Sequence, residues 1–350
     1  MNSNFWEGRS VFLTGHTGFK GGWLALWLSH LGAKVNGFSI DIPTEPSFYT
    51  TTSLVSRLHT STLGDIRDLA RLTAAIEEAR PSLVIHMAAQ ALVRESYRDP
   101  IKTFSTNLLG TINLLEAVRG KETVEAVINV TTDKCYHNND RSRRFVETDR
   151  LGGHDPYSSS KACSELATAA YRDSFLADEG IKLATVRSGN VIGGGDWSAD
   201  RLVPDFLRSL EDGRVLSIRS PHAVRPWQHV LEPLSGYLTL GEKLILEGVE
   251  FAEAWNFGPE EFDVKPVSWV VDCLAQKFPT ARWQVDNSTQ PREADVLKLD
   301  STKARDKLGW HLRWSLDTAL AKTAEWHRAW QAGQAMEDLS LRQIESYETE

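Results

Sequence analysis

The chain has 350 residues, of which 41% are hydrophobic and 25% are charged. These proportions are typical of soluble globular proteins and exclude collagen-like, disordered and membrane-spanning chains. Lysine and arginine number 39 against 47 aspartate and glutamate, which gives a net charge of −8, and no basic run is present to follow a phosphate backbone. The composition therefore argues against nucleic acid and membrane partners, and any anionic ligand must be held by a few local cations.

The three cysteines, Cys135, Cys163 and Cys273, form neither a disulfide framework nor a zinc-ribbon spacing. They predict reduced thiols and no metal site. The N-terminus has no charged segment followed by an apolar stretch and a cleavage site, and it enters a strand-like run at Ser10. We therefore expect a cytoplasmic protein.

Strands and helices are predicted to alternate through the first half of the chain. Short apolar or β-branched runs predict strands at residues 10–14, 34–40, 82–87, 126–131 and 182–187. Apolar spacings of three and four predict helices at residues 19–31, 65–79 and 103–118. This alternation is typical of an α/β protein with a doubly wound (Rossmann) parallel sheet, which binds ligands beyond the carboxyl ends of its strands.

The pattern changes after about residue 187, where Gly193, Gly194 and Gly195 and proline-containing turns replace the regular alternation. We predict a dinucleotide-binding domain over residues 1–187 and a smaller mixed α/β substrate region over residues 188–350. The segment around residues 229–258 is expected to return to the first domain. Residues 315–333 predict an amphipathic helix, and the acidic tail beyond it is expected to fray.

A glycine-rich turn follows the first predicted strand. Gly15 permits a tight turn, Gly18 allows backbone N–H groups to approach a pyrophosphate at a helix N-terminus, and Gly21 permits close packing of helix on strand. Asp41 ends the second strand, where a carboxylate accepts hydrogen bonds from an adenosine ribose and repels a 2′-phosphate. The pattern predicts a dinucleotide site that prefers NAD to NADP.

A tyrosine and a lysine are predicted on one face of a later helix. Tyr157 and Lys161 are four residues apart and follow Pro156. A lysine close to a tyrosine favours the phenolate, so we expect Lys161 to lower the Tyr157 pKa toward working pH. The phenolate can then take a proton from a substrate hydroxyl, which predicts general acid–base chemistry beside the dinucleotide.

Together these features resemble the extended short-chain dehydrogenases/reductases over essentially the whole chain. The resemblance rests on the glycine-rich turn, on the Tyr157 and Lys161 pair, and on a segment at the end of the predicted strand 82–87, His86-Met87-Ala88-Ala89-Gln90. Within that superfamily, two further segments are similar to the nucleotide-sugar 4,6-dehydratases, namely Thr131-Thr132-Asp133-Lys134-Cys135-Tyr136 and Arg225-Pro226-Trp227-Gln228-His229-Val230. Lys134 departs from the Thr-Asp-Glu triple of those enzymes.

The resemblance implies NAD as cofactor, a hydro-lyase activity in bacterial deoxysugar biosynthesis of the O-antigen type, and a nucleotide sugar as substrate. It favours CDP-glucose, although no spacing rule distinguishes cytosine from thymine or guanine. It also implies a homodimer or larger homo-oligomer, formed through the helices at residues 103–118 and 157–175. The residues that it assigns to the cofactor are Gly15, His16, Thr17, Gly18, Phe19, Lys20, Gly21, Asp41, Asp65, Ile66, Ala88, Ala89, Gln90, Asn107, Thr131, Tyr157 and Lys161.

The same resemblance implies a role for each catalytic residue. Oxidation at C4 makes the C5 proton acidic, lets the C6 hydroxyl leave and allows hydride to return to C6. Tyr157 removes the O4 proton and is held by Lys161, Thr132 hydrogen-bonds O4, and Asp133 protonates the departing hydroxyl. Lys134 is expected to be the C5 base as a neutral amine, or else to stabilise the enolate while another group takes the proton.

Local arginines are expected to hold the substrate diphosphate against the acidic balance of the chain. Arg225 and Arg292, each beside a proline, are the candidates, and the resemblance adds Asn190. Two alternatives stay open. One is another 4-epimerase, reductase or dehydratase of the superfamily, acting on a dTDP- or GDP-hexose, and the other is a non-catalytic NAD-sensing protein of the same fold.

Overall fold

A computed structural model of the chain describes residues 3–138, 143–286, 288 and 296–350. The strands within these residues are, in chain order, β1 (Ser10–Thr14), β2 (Lys34–Ser39), β3 (Thr60–Leu63), β4 (Leu83–His86), β5 (Ala126–Val130), β6 (Lys182–Ser188), β7 (Val191–Ile192), β8 (Leu216–Ile218), β9 (Val224–Pro226), β10 (Gln228–His229), β11 (Ala254–Phe257), β12 (Val264–Pro266) and β13 (Trp283–Val285). The α-helices are α1 (Ser3–Trp6), α2 (Phe19–His30), α3 (Phe48–Thr51), α4 (Leu69–Ala79), α5 (Val93–Arg98), α6 (Pro100–Phe104), α7 (Gly110–Val118), α8 (Pro156–Tyr171), α9 (Leu202–Glu211), α10 (Leu231–Leu246), α11 (Val267–Lys277), α12 (Thr302–Leu308), α13 (Leu316–Gln331) and α14 (Met336–Thr349). Two π-helical turns extend α6 and α8 at Ser105–Leu109 and Arg172–Leu176.

The central sheet is parallel and has the strand order β11-β6-β5-β4-β1-β2-β3. The five predicted strands all lie in it, which confirms the predicted doubly wound fold. Strand β3 was not predicted, because its sequence Thr-Ser-Thr-Leu has no apolar run; two of its four residues are exposed and two are half-buried. The strand order reverses between β1 and β4, so a crevice for ligands opens at their carboxyl ends.

Helices cover both faces of the sheet and bury separate cores. Helices α2 and α10 pack on one face, where Trp23, Trp27 and Leu238 are fully buried. Helices α4 and α7 pack on the other face, where Leu72 and Leu114 are fully buried. No helix within the described residues has the length and apolar character needed to cross a bilayer.

The acidic C-terminal tail was predicted to fray, and this prediction is wrong. Residues Met336–Thr349 form α14, in which Ile344 and Tyr347 are fully buried. The Tyr347 ring packs edge-on against Trp27 of α2 with ring centroids 5.6 Å apart, and the Trp27 indole donates to Glu348 Oε1 at 2.8 Å. Buried apolar side chains therefore order the tail, although its overall composition is acidic.

A buried carboxylate joins α14 to α10. Glu232 is fully buried, and its carboxylate accepts hydrogen bonds from the Tyr347 hydroxyl at 2.8 Å and from the backbone N–H groups of Trp314 at 2.8 Å and Arg313 at 3.2 Å. Burial raises the pKa of Glu232 to about 7, although these hydrogen bonds oppose the rise. The carboxyl group is therefore more easily ionised in the unfolded chain than in the folded one.

This difference predicts a pH-dependent loss of stability. Because the folded pKa lies above the unfolded value, the wild type should lose stability relative to Glu232→Gln as the pH rises from about 4.5 through 7, by on the order of 3 kcal/mol in full. The measurement is urea unfolding of both proteins at pH 5 and pH 8. If the free energies of unfolding of the two proteins change with pH in the same way, the pKa of Glu232 in the folded protein is close to its ordinary value, which would contradict the prediction.

Candidate active site

The glycine-rich turn between β1 and α2 leaves room for a phosphate group. Gly15 has φ +80°, and a Cβ on it would lie 2.8 Å from the backbone nitrogen of Ala88, while a Cβ on Gly21 would overlap the carbonyl oxygen of Gly15. Gly18 caps α2 without a side-chain hydrogen bond, so the first-turn N–H groups are left to an anion. These residues fit the pyrophosphate of a dinucleotide.

His16 and Thr17 brace this turn against the neighbouring strands. The His16 ring nitrogens lie 2.9 Å from Ser39 Oγ and 2.8 Å from Ser61 Oγ, and burial lowers the pKa of His16 to about 4. Thr17 Oγ1 donates to the backbone oxygen of Asp41 at 2.6 Å, and Asp41 is exposed beyond the end of β2. The His16 imidazole beneath the turn is therefore neutral. The Asp41 carboxylate is exposed at the position where a ribose hydroxyl would be recognised.

The loop after β4 is joined to helix α8 through Asn107. The Asn107 amide oxygen accepts from the Gln90 N–H at 2.8 Å, and its nitrogen donates to Gln90 O at 3.0 Å and to Ser160 Oγ of α8 at 2.9 Å. This buried amide therefore positions the segment that contains Ala88 and Ala89. Contact of these residues with a cofactor remains a prediction, as it does for Phe19, Asp65 and Ile66.

The Lys20 ammonium lies at the carboxyl end of β6, and its predicted contact with the cofactor stays a prediction. Its ammonium donates to Ser188 Oγ and to the Tyr237 hydroxyl, both at 3.0 Å. Burial lowers the pKa of Lys20 to about 7, with the charge of Arg201 lowering it further and that of Asp133 raising it. The side chain thus runs from the first turn of α2 to the end of β6.

The segment after β5 brings an acidic group and a lysine together. Asp133 is almost fully buried; its Oδ1 accepts from Thr132 Oγ1 at 3.1 Å, and its Oδ2 has no hydrogen-bond partner within the described residues. Lys134 Nζ lies 3.8 Å from Asp133 Oδ1 and is about one-fifth exposed. Gly189 keeps the space before Oδ2 open, because a Cβ there would lie 3.1 Å from that oxygen. The unpartnered oxygen is therefore available to a ligand.

Tyr157 and Lys161 lie on α8 against the same segment. Tyr157 hydrogen-bonds Thr132, and Lys161 Nζ donates to the backbone oxygen of Val130 at 3.1 Å. Burial raises the pKa of Tyr157 to about 12, while Thr132 and Arg201 lower it less, and burial lowers the pKa of Lys161 to about 8. The expectation that Lys161 brings the tyrosine pKa toward neutrality is wrong for this structure, because desolvation of the phenolate outweighs the nearby cations.

A buried ion pair joins helix α8 to strand β6 next to this segment. Arg187 of β6 makes two hydrogen bonds to Glu165 of α8, Nη2 to Oε2 at 2.7 Å and Nε to Oε1 at 2.9 Å. Thr131 donates to Glu165 Oε1, and Thr185 donates to Oε2 at 2.7 Å. Since Glu165 lies one helical turn after Lys161, this network holds α8 against the ends of β5 and β6.

The substrate side of the cleft holds one arginine that sequence reasoning missed. Arg201 pairs with Asp196 at 3.0 Å, and its charge lowers the pKa of Tyr157. Arg225 on β9 is buried and donates to the backbone oxygen of Val224 at 3.0 Å. The side-chain oxygen of Asn190 is buried without a partner in the part of the chain that is described. Arg292 lies outside the described residues, so its predicted role stays a prediction.

The arrangement of sheet, glycine turn and Tyr-x-x-x-Lys helix defines an extended short-chain dehydrogenase/reductase. The family model described as GDP-mannose 4,6 dehydratase matches residues 12–323, so the chain belongs to that family. A CDP-glucose 4,6-dehydratase of Salmonella typhimurium is 49% identical over 353 residues, which cover 99% of this chain and 98% of the relative.

Solved structures of related enzymes share the fold. UDP-glucose 4-epimerase with UDP-glucose from Thermotoga maritima covers 92% of this chain and 99% of its own length, with a TM-score of 0.78 and 24% identity. dTDP-glucose 4,6-dehydratase from Bacillus anthracis in complex with NAD covers 94% and 100%, with a TM-score of 0.77 and 20% identity. At these identities the two structures support the architecture alone.

Proposed function

We propose that the protein uses NAD to convert CDP-glucose to CDP-4-dehydro-6-deoxyglucose, as the 49% identical Salmonella relative is named to do. The observation that carries the proposal is the buried cluster of Thr132, Asp133 and Tyr157 at the carboxyl end of β5, across from the glycine turn. A dehydrogenase needs the tyrosine and lysine. A dehydratase also needs an acid for the leaving hydroxyl, and Asp133 supplies one.

Each residue has a proposed task. When held at the glycine-rich turn of Gly15, Gly18 and Gly21, NAD would supply the hydride acceptor for C4 and the hydride donor for C6. Thr132 hydrogen-bonds both the tyrosine and O4. Tyr157 takes the O4 proton, for which it must be the phenolate, and the positive charges of Lys161 and of bound NAD would favour that form against the burial that favours the neutral phenol. Asp133 protonates the C6 hydroxyl as it leaves, through the oxygen that has no partner among the described residues.

The position of Lys134 bears on its two possible roles. Lys134 Nζ lies 3.8 Å from Asp133 Oδ1, so a proton can pass between the two groups. With that proton on Asp133, Lys134 is a free amine that can accept the C5 proton while Asp133 protonates the departing hydroxyl, so both protons of the elimination are accounted for. We therefore propose that Lys134 is the C5 base, which is the role that the resemblance favoured.

The test is incubation of the purified protein and NAD with CDP-glucose, dTDP-glucose and GDP-mannose, followed by mass spectrometry. The expected result is loss of one water from the CDP sugar, faster than from the other two. Turnover of another nucleotide sugar in preference would assign the protein to a different substrate within the family. A product with the mass of the substrate and an inverted C4 would identify an epimerase.

We further propose a cytoplasmic homodimer. Three large apolar side chains are exposed on helices that pack together on one face of the sheet, namely Ile101 at 82%, Leu166 at 60% and Leu109 at 53%. Leu109 and Leu166 lie within the segments 103–118 and 157–175 that the resemblance assigned to a subunit interface, and Ile101 lies just before the first of them. Burial of such side chains against a second copy would remove their apolar surface from water.

Replacing Ile101 with glutamate is expected to convert the dimer to monomers, because the charge would be buried in the interface. Sedimentation velocity of wild type and variant measures this directly. The matched control is Leu246→Glu, on α10 at the opposite face of the sheet, where the side chain is 63% exposed. A wild-type protein that sediments as a monomer would contradict the proposal.

A further inference from the structure

The two groups proposed for the loss of water, Asp133 and Lys134, lie on one short turn. This 3-10 helical turn, Asp133–Cys135, follows the end of β5 and is named the Asp133 turn. On its β5 side, the Thr131 hydroxyl donates a hydrogen bond to Glu165 Oε1 of α8. A 3-10 turn of this length makes few hydrogen bonds of its own. The orientation of the two groups therefore depends on how the chain is held on the other side of the turn.

Tyr136 holds that other side. The side chain is almost fully buried, and its hydroxyl accepts from Arg187 Nη1 at 2.7 Å and donates to Asn256 Oδ1 at 2.7 Å. A guanidinium group can only donate and an amide oxygen can only accept, so the hydroxyl proton must point toward Asn256. Because Arg187 also pairs with Glu165, one buried ion pair holds the chain on both sides of the Asp133 turn.

Asn256 in turn is held by three segments of the chain. It lies on β11 in register with Arg187 of β6 and is fully buried. Its side-chain nitrogen donates to two backbone oxygens, Phe145 O at 2.9 Å and Asp300 O at 3.2 Å. Both of these partners are acceptors, so the same amide orientation also presents Oδ1 to the Tyr136 hydroxyl. The position of that hydroxyl is therefore determined from outside the Asp133 turn.

The ring and the hydroxyl of Tyr136 make separate contacts. The ring is stacked on Phe145, with centroids 4.9 Å apart and an interplanar angle of 6°, and the Arg187 guanidinium lies 4.9 Å from the ring centroid. The hydroxyl makes the two polar contacts with Arg187 and Asn256. A phenylalanine in this place therefore retains the packing and loses both hydrogen bonds.

We propose that Tyr136 is a positioning residue for the elimination, because its hydroxyl sets the orientation of the Asp133 turn relative to the sugar. This inference rests on the proposed function. In the elimination, Lys134 takes the C5 proton, the electrons of that C–H bond form the C5–C6 double bond, and the C6 hydroxyl leaves as water with the Asp133 proton. The preceding oxidation at C4 depends on Tyr157 of α8. Displacement of the Asp133 turn should therefore slow the loss of water more than the oxidation.

The test is a single turnover of CDP-glucose by the full-length protein with NAD, in which wild type is compared with Tyr136→Phe. Absorbance measures the formation of NADH, and mass spectrometry of the quenched sugar measures the loss of water. We expect the rate of water loss to fall about tenfold, since a small misplacement of reacting groups is costly. The rate of NADH formation should change by less than about twofold, so NADH should accumulate in the variant.

Tyr347→Phe is the matched control. It removes an equally buried tyrosine hydroxyl, which bonds Glu232 and Ser235 in a different part of the fold. The ratio of its two rates should equal that of wild type, whatever the change in stability. Thermal unfolding of both variants checks that they are folded.

Two results would overturn the inference. The first is a wild-type rate of water loss in Tyr136→Phe, and the second is an equal fall in both rates, which would assign Tyr136 a structural role alone. Failure of the proposed function would appear in the wild type, as absent dehydration of CDP-glucose. The two proteins are then compared on the nucleotide sugar that the wild type does dehydrate, and a wild type that dehydrates none of the three sugars would overturn both proposals.

Discussion

Replacing Tyr157 with phenylalanine is expected to lower kcat for dehydration of CDP-glucose by roughly 10²–10⁴-fold, the range that a positioned general acid–base group contributes. The phenol is the proposed group that takes the O4 proton, and phenylalanine fills the same buried space without it. The affinity for the nucleotide sugar should change little, because the lost hydroxyl bonds Thr132 inside the cleft. The loss should therefore appear in kcat and not in the dissociation constant.

The measurement combines steady-state kinetics with calorimetric binding of CDP-glucose. Tyr171→Phe is the matched control, since it removes a hydroxyl from the same helical segment, where Tyr171 bonds Glu116 at 3.3 Å. Its kcat should stay close to that of wild type. A Tyr157→Phe protein that retains wild-type kcat would show that another group removes the O4 proton.

Replacing Glu165 with glutamine is expected to destabilise the protein by about 3–5 kcal/mol, because the Arg187 guanidinium is then buried without a counter-charge. Both side chains are less than 5% exposed, and they share two hydrogen bonds. The double variant Glu165→Leu with Arg187→Met removes both charges. It should cost clearly less than the single change, since no uncompensated charge remains.

Urea unfolding of the single and double variants measures these costs. The control is Glu247→Gln, which breaks the exposed pair that Glu247 forms with Lys243 on α10 and should cost less than about 1 kcal/mol. If Glu165→Gln costs no more than the control, the buried pair does not hold α8 against the sheet. A double variant as unstable as the single one would assign the loss to the hydrogen bonds of Thr131 and Thr185.

Much of the site could be predicted because it depends on local patterns. The glycine spacing of the turn has steric causes that lie within one loop, where Gly15 adopts φ +80° and Gly21 contacts Gly15. Tyr157 and Lys161 share a face because they are one turn apart on a helix. The segment after β5 could be placed beside them because parallel strands end at the same edge of a sheet.

Features that depend on contacts between distant residues could not be predicted. The Lys20 ammonium donates to Ser188 and Tyr237, which lie more than 160 positions away, so its location at the end of β6 could not be predicted, while its assignment to the cofactor stays a prediction. The tail was expected to fray because its sequence is acidic. Its order depends on Tyr347, which packs against Trp27 and donates a hydrogen bond to Glu232, and both partners are distant in the sequence. In both cases, contacts between residues that are distant in the sequence determine where the side chain lies.

The sequence by itself determined the fold class, the dinucleotide turn and the chemical pair on α8, because periodicity and glycine sterics act over a few residues. Tertiary structure decided the electrostatics of the cleft, since desolvation and charge act through space. Burial raises the pKa of Tyr157 and lowers those of Lys20 and Lys161, and the acid Asp133 lies beside Lys134. Folding likewise brings Tyr136, Arg187 and Asn256 together from three separate segments, although nothing in their spacing along the chain indicates it.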